Sequence, residues 1–510
     1  YYLSCLFSIF SYFGFPFNFF NLFRHYKESK QSPQETDIER NVINEEQKDE
    51  QRVETKDPHQ ISYIRAVLMV ALFAYLHFVA FVDQYIFVAI LPVIKQDYHV
   101  VGYTSQFITL GYLGTRVTLS PFISCATSRC DRKMVTCIGL FFYTLLSLGC
   151  TFIPQQGFWL FMLTRLFLAS MAESCLSTVP LVIADLFYPD QRTRVLGFYT
   201  CTKSVCCMLA CLFGTPVVEL ASLHWHYALW TTPGLGLLGL VLAIIIMKDP
   251  QPEGMDEVEN DSEDTELRYS CFSDLKQLLS NCSFLTYTAG ALCYVFVYGA
   301  KNSWAHQLVK KTRQELLIET QCLTTGCSYD DNLFYGIIKC VTDLIGLLLG
   351  MEFSKRYKKW TPKIDAVLCG IGLSVCAPML MAFIFFPGFN IPIAYVFVAI
   401  SGAFQAICQV PLLNMKLNIV SPKLRETANI FHQFFSKLLG TVGHIFFVQL
   451  VSAEIQQISP HATKLSIMQY SLAFLPLVAV IGSLLFFIMA YCIKEKQIMA
   501  EEPIAVISQK

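Results

Sequence analysis

Apolar runs long enough to cross a bilayer recur along this chain and leave it few ways to fold. A spanning helix needs about 20 mostly apolar residues. Twelve stretches qualify: 63–93, 102–126, 134–153, 158–186, 195–218, 227–247, 283–308, 333–353, 365–386, 391–417, 426–452 and 467–492. Hydrocarbon holds no water to satisfy backbone N–H and C=O groups, so stretches of this length are read as helices. The fold class expected is an all-α membrane protein with twelve transmembrane helices. The composition agrees, with 54% hydrophobic residues, a mean hydropathy of +0.46 and 15% charged residues, against about a quarter in soluble proteins. A net charge of −1 offers no basic surface for nucleic acid.

Polar segments divide the runs into two groups. "KDPQPEGMDEVENDSEDTELR" (248–268) is acidic and follows the sixth run. Six plus six is the pattern of two helical halves joined by a linker, with the substrate site between them near the membrane midplane. The expected organisation is an N-terminal tail at 1–61, a six-helix half at 62–247, an acidic linker at 248–281, a second six-helix half at 282–493 and a tail at 494–510. Residues 24–60 are charged and lack apolar periodicity, as a disordered tail would. The Phe-rich stretch 1–23 is given no function. Lys and Arg collect on one side, at Arg129, Arg132 and Lys133, at Arg192 and Arg194, in "SKRYKKWTPK" (354–363), and at Lys423 and Arg425; Lys310, Lys311 and Arg313 are the main exception. That bias puts both termini and the linker in the cytosol.

A charge at mid-bilayer costs a few kcal/mol and normally faces a bundle interior or a wet cavity. The first half nevertheless contains Asp83, Arg116, Arg165, Glu173 and Lys203. The second contains Lys301, Lys339, Asp343, His432, Lys437 and His444. Lys339 and Asp343 are four apart and can pair along one helix face. Asp83 and Glu173 are open to two readings: a carboxylate that takes and releases protons as a cavity opens to each side, or one half of a static ion pair. His432 and His444 are read as packed rather than titrating. Most of the 20 cysteines lie in apolar runs and act as small hydrophobes. Cys322 and Cys327 share the polar loop "QCLTTGCSYDD", where a disulfide and two free thiols both stand, the disulfide requiring an oxidising space. No nucleotide loop, nucleophile elbow or zinc spacing occurs, which argues against an enzyme, against direct ATP drive and for no cofactor.

Several motifs together resemble the Spinster family of the major facilitator superfamily, over about 62–455. "FVDQYIFVAILPVIKQ" is similar to the family's first-span signature, in which an Asp is followed nine residues later by Pro, here Asp83 and Pro92. "ADLFYPDQRTRVLGFY" (184–199), "HWHYALWTTPGLG" (224–236), "GMEFSKRYKK" (350–359) and the Cys322–Cys327 loop also match. The resemblance implies the major facilitator fold and a secondary active or facilitative transporter. It further implies a lysophospholipid or sphingosine-1-phosphate substrate, with proton coupling left open, in a lysosomal, late endosomal or plasma membrane. A monomer is expected, with an amphiphilic small molecule as its partner.

The departures fall on functional positions of the family. The Arg that follows the first-span Asp is Gln84 here. The superfamily loop G-x-L-x-D-R-x-x-R-K, which latches the cytosolic gate through its Asp, reads "SCATSRCDRK" (124–133). Arg129, Arg132 and Lys133 remain, Ser128 stands at the Asp position, and Asp131 is a substitute from a different place. In the fifth span, glycines of the family pattern are lost in "SVCCMLA" (204–210), just after Lys203. Glu173 lies eight residues after Arg165 where the family spacing is seven, so it has either turned off the site or is restored by a bulge. The candidate substrate and proton site is Asp83, Gln84, Arg116, Arg165, Glu173 and Lys203, with Arg116 as the cation that replaces the one lost at Gln84. Two alternatives remain: a carrier of a small organic anion or other polar solute, and a membrane receptor or partner protein that no longer transports.

Overall fold

A segment surrounded by hydrocarbon must satisfy its own backbone, and these segments do so as helices. The computed structural model describes residues 63–98, 132–177, 179–187, 189–220, 225–248, 271–316, 331–358, 361, 363–420, 424–459 and 461–507, and no strand occurs among them. The first set of helices comprises α1 (Tyr63–Asp97), α2 (Arg132–Gly149), α3 (Phe158–Ser177), α4 (Val179–Leu186), α5 (Pro189–Leu220) and α6 (Trp225–Ile246). The second set comprises α7 (Cys271–Ser280), α8 (Cys282–Leu316), α9 (Asp331–Lys358), α10 (Ile364–Phe385), α11 (Ile391–Ile407) and α12 (Gln409–Ile419). It continues with α13 (Arg425–Lys437), α14 (His444–Ile458), α15 (Lys464–Leu472) and α16 (Leu475–Ile507). A π-helical segment, Leu438–Gly443, joins α13 to α14.

Among the described residues, nine stretches are long and apolar enough to cross a membrane. The expected second span, 102–126, lies outside the described residues. The expected fourth is the pair α3 and α4, and the fifth lies within α5. Two boundaries differ from the sequence reading. The end of the expected linker is helical: α7 lays Leu278 against Phe284, Val420 and Ala428. The last helix runs to Ile507 rather than ending near 493. Residues 1–62 and 249–270 lie outside the described residues.

α1 and α6 are tied together at both ends. Arg65 donates from Nε to the Ile246 carbonyl at 3.0 Å and from Nη2 to the Ile245 carbonyl at 3.3 Å. These are carbonyls of the last turn of α6, which has no further backbone donors, and a cation there also opposes the helix dipole. At the other end of α1, Asp97 accepts from the Trp225 indole N–H at 3.0 Å, where α6 begins. Between these ties, Leu72, Leu76 and Ala243 are buried in one core and Ile86, Phe161 and Trp225 in another. Large apolar side chains such as Trp159, Ile245, Leu477 and Tyr491 face outward, as a lipid-facing surface requires.

The helices of the second set approach closely where side chains are absent. Lipid tails are as apolar as leucine, so helix association in a membrane depends on close packing rather than on hydrophobic burial. A Cβ on Gly346 of α9 would overlap the Ala403 carbonyl oxygen of α11, and one on Gly299 of α8 would overlap the Gly440 carbonyl of the π segment. In both cases the obstacle is backbone. Gly346→Ala should therefore lower the apparent melting temperature by several degrees, equivalent to about 1–3 kcal/mol. Gly388→Ala, where a Cβ meets nothing within 4 Å, should leave it unchanged. Thermal unfolding followed by size-exclusion chromatography in detergent measures both.

Candidate functional site

Asp83 sits mid-way along α1, between the buried residues Val82 and Ile86, and is 8% exposed. Its partner is Arg165 of α3, 3% exposed, whose Nη1 donates to Oδ1 at 3.1 Å. Phe87, one turn further along α1, lies beneath the guanidinium with its ring centroid 4.9 Å from Cζ, within cation–π range. The buried Arg165 Nη2 has no hydrogen-bond acceptor among the described residues. The site is thus an ion pair held on an aromatic face, with one guanidinium donor left over. A buried pair of this kind is a poor stabiliser, yet removing one partner leaves an uncompensated charge.

Around the pair, α1 and α5 carry a second buried polar contact. The Tyr199 hydroxyl lies 2.8 Å from His77 Nδ1, and the two rings meet edge-on. His77 was not singled out in the sequence, where one imidazole in an apolar run carries no formal charge to draw attention. The same two helices border an open cavity of about 350 Å³ lined mainly by apolar side chains, among them Ala74, Phe78, Phe198, Val205 and Leu209, with Tyr75 and Thr202 also at its wall.

The other sequence candidates are distributed as follows. Gln84 is half-buried on α1 next to the pair, and Lys203 of α5 is exposed yet within electrostatic reach of the buried His77 of α1 and Lys416 of α12. Glu173 lies on α3, two turns and about 80° beyond Arg165 for ideal geometry. Arg132 and Lys133 open α2. Arg116, Arg129, Asp131, Cys322 and Cys327 lie outside the described residues. In the second set, Lys339 and Asp343 pair at 2.7 Å, at the four-residue spacing that predicts it. His444 Nε2 meets the Ser303 hydroxyl at 3.0 Å and His432 Nε2 meets that of Ser436 at 3.3 Å. Among the described residues, no group of three or more His, Cys, Asp or Glu side chains could hold a metal ion.

The two sets of helices also meet through side chains that the sequence did not mark as a site. Arg192, near the start of α5, donates to Asn418 Oδ1 of α12 at 2.7 Å. Beside it a buried chain of hydrogen bonds crosses four helices. Thr193 donates to Asn414 Oδ1 at 3.4 Å, Asn414 to the Ser354 hydroxyl oxygen at 3.1 Å, and Ser354 to Asp365 Oδ1 at 2.5 Å. Gly197 of α5 faces Met351 of α9 so closely that a Cβ there would displace the thioether. These contacts lie next to the start of "SKRYKKWTPK" (354–363), to which Ser354 belongs.

The Major Facilitator Superfamily model matches residues 73–444. Protein spinster homolog 1 of Xenopus laevis is 32% identical over 464 residues, covering 90% of this chain and 87% of its own. The chain belongs to the Spinster family of the Major Facilitator Superfamily. The human protein spinster homolog 1 is 31% identical over 427 residues, covering 83% of this chain and 80% of its own. A bacterial homologue of the human lysosomal transporter Spinster, in an inward-facing and unoccupied crystal structure, superposes with a TM-score of 0.56 at 16% identity. It covers 84% of this chain and 98% of that one. The protein is therefore a multi-pass membrane transporter of the Spinster family and not an enzyme.

Two tests follow from this geometry. Asp83→Asn should destabilise this Spinster protein by about 3–5 kcal/mol, because Arg165 is left buried without a counter-charge. Adding Arg165→Met should recover part of the loss, and strictly additive melting temperatures would show that the pair is not coupled. At the seam, Arg192→Ala should speed amide exchange in residues 192–197 and 414–419 about tenfold, the value of one charge-assisted hydrogen bond. Exchange confined to residue 192 itself would show that the contact does not hold the two sets together.

Proposed function

We propose that this Spinster protein moves single-chain lipids with a phosphate-bearing headgroup, lysophospholipids or sphingoid phosphates, across a membrane by alternating access. Residues 62–247 and 282–493 act as the two moving halves, and the chain works as a monomer. Asp83 carries the proton when transport is proton-coupled. The observation that carries this reading is the buried Asp83–Arg165 pair with its spare guanidinium donor, on the helix that bears the first-span signature. Arg can engage a phosphate through parallel hydrogen bonds. Proton uptake by Asp83 would release Arg165 to do so, and a phosphate would in turn compete for Arg165 and free the carboxylate. The apolar cavity between α1 and α5 supplies the surface that an acyl chain needs, which a carrier of small polar solutes does not. Arg116 adds a second cation in place of the one missing at Gln84.

The Lys and Arg distribution supports a cytosolic location for both termini, so the Arg192–Asn418 seam is the cytosolic gate. A lysosomal or late endosomal membrane is the favoured residence, in keeping with the lysosomal Spinster named for the bacterial homologue, with the plasma membrane as the alternative.

The decisive experiment uses proteoliposomes with labelled lysophosphatidylcholine, sphingosine-1-phosphate or a small organic anion, with and without a pH gradient. Flux of a phosphate-bearing lipid is expected, with Asp83→Asn losing most of it per folded protein. Transport of the small anion alone would replace the lipid reading. Wild-type lipid flux in Asp83→Asn would remove Asp83 from the mechanism.

A further inference from the structure

A second group of charges lies in the other set of helices, away from Asp83 and Arg165, and it does not balance. Lys301 of α8 is 4% exposed. Its ammonium lies 6.0 Å from the Tyr298 ring centroid and within electrostatic reach of Asp343 of α9. The nearest carboxylate of the group, Asp343 of α9, is committed to Lys339 at 2.7 Å. Tyr298 presents its ring to both ammonium groups, with its centroid 5.4 Å from Lys339 Nζ and 6.0 Å from Lys301 Nζ. The group therefore contains two cations, one anion and an aromatic wall, for a net charge of one positive.

The facing helix comes close to this group without offering it a charge. Gly402 of α11 is directed at this point: a Cβ there would lie 3.6 Å from Lys301 Nζ and 3.0 Å from Thr342 Oγ1. One turn further along α11, Gln405 is fully buried, and neither its amide oxygen nor its amide nitrogen has a hydrogen-bond partner. A buried amide left without partners is costly, as is a buried cation that must share one carboxylate with another cation, and native structures rarely keep either without a use. The group is also within reach of a ligand from the seam between the two sets. The Lys339 side chain is 24% exposed, and the neighbouring residue Cys340 directs its thiol at the Ser204 carbonyl of α5, 3.8 Å away.

We propose that Lys301, Lys339 and Tyr298, with Gln405 as a polar neighbour, form an anion site that takes the phosphate group of the transported molecule. The site rests on the lipid-transport reading and gives it a second anchor, on the half opposite Arg165. A phosphate held there would accept from Lys301 and supply the second counter-charge that the group lacks, while Asp343 keeps Lys339 in place. Two anchors on opposite halves would let one headgroup pass from Arg165 to Lys301 as the halves move.

The test compares wild type, Lys301→Met and Gly402→Asp in lipid nanodiscs. Binding is measured for sphingosine-1-phosphate, sphingosine and glycerol-3-phosphate, together with the melting temperature without ligand. Lys301→Met should weaken sphingosine-1-phosphate about ten- to a hundredfold, the value of a charge-assisted hydrogen bond, and leave sphingosine unchanged. It should also raise the ligand-free melting temperature, since an uncompensated charge is removed; a lysine with a structural role would lower it. Gly402→Asp, which supplies a carboxylate beside Lys301, should likewise abolish the preference for the phosphate. Unchanged sphingosine-1-phosphate affinity in both variants overturns the site and leaves the lipid reading standing. Glycerol-3-phosphate binding that is lost in Lys301→Met, with no binding of either lipid, keeps the anion site and overturns the lipid reading.

Discussion

Charge in a medium that cannot solvate it is the constraint on which this structure depends. Hydrocarbon leaves each helix to satisfy its own backbone, so the chain enters the membrane as helices. It then makes an ionised side chain without a partner inside the bundle costly. Asp83 and Arg165 answer that demand across 82 residues of sequence, and Lys339 and Asp343 answer it within one helix turn. The outer surface carries the apolar residues that a soluble protein would bury, and the interior carries the charge that a soluble protein would expose.

Packing follows from the same surroundings. With lipid on the outside, joining two apolar helix faces gains little hydrophobic free energy, and contact area has to come from close approach. Gly346 against the Ala403 carbonyl and Gly299 against the Gly440 carbonyl are such approaches. The π segment at Leu438–Gly443 places Gly440 at the second contact. Extra-residue bulges of this kind inside helices are frequent at functional sites. Helix ends are closed by side chains instead of water, as Arg65 does for α6.

The sequence showed the membrane class, the run of apolar segments and the Lys339–Asp343 pair, because these depend on composition and on spacing within one helix. It showed that Asp83 and Arg165 were each too costly to stand alone, but not that they meet, since only the fold relates positions in different helices. His77 was passed over for the same reason: its importance comes from Tyr199, 122 residues away. Helix interruptions were only partly legible. α11 ends at Ile407, four residues before Pro411, where a proline ring clashes with the preceding carbonyl and removes a donor. Pro233 and Pro378 sit inside unbroken helices, so proline alone does not mark a break.

If the seam at Arg192 is the gate proposed above, its strength sets how readily the two sets of helices part. A latch must be strong enough to favour one state and weak enough to release it, and a bias of a few kcal/mol already takes a two-state equilibrium most of the way from one state to the other. The contacts Thr193–Asn414 and Asn414–Ser354 are hydrogen bonds between neutral groups, each worth about 0.5–1.5 kcal/mol net, and Arg192–Asn418 and Ser354–Asp365 are somewhat stronger because one partner is charged. Only two of them, Arg192–Asn418 and Thr193–Asn414, cross between the sets. Their sum is a few kcal/mol, which substrate binding can overcome. An ion pair buried at the same place would have to be separated in a medium that stabilises neither half, and opening would then be harder. A hydrogen-bonded latch at Arg192 and Thr193, in the proposed transport cycle, would keep the barrier to opening within reach of ligand binding.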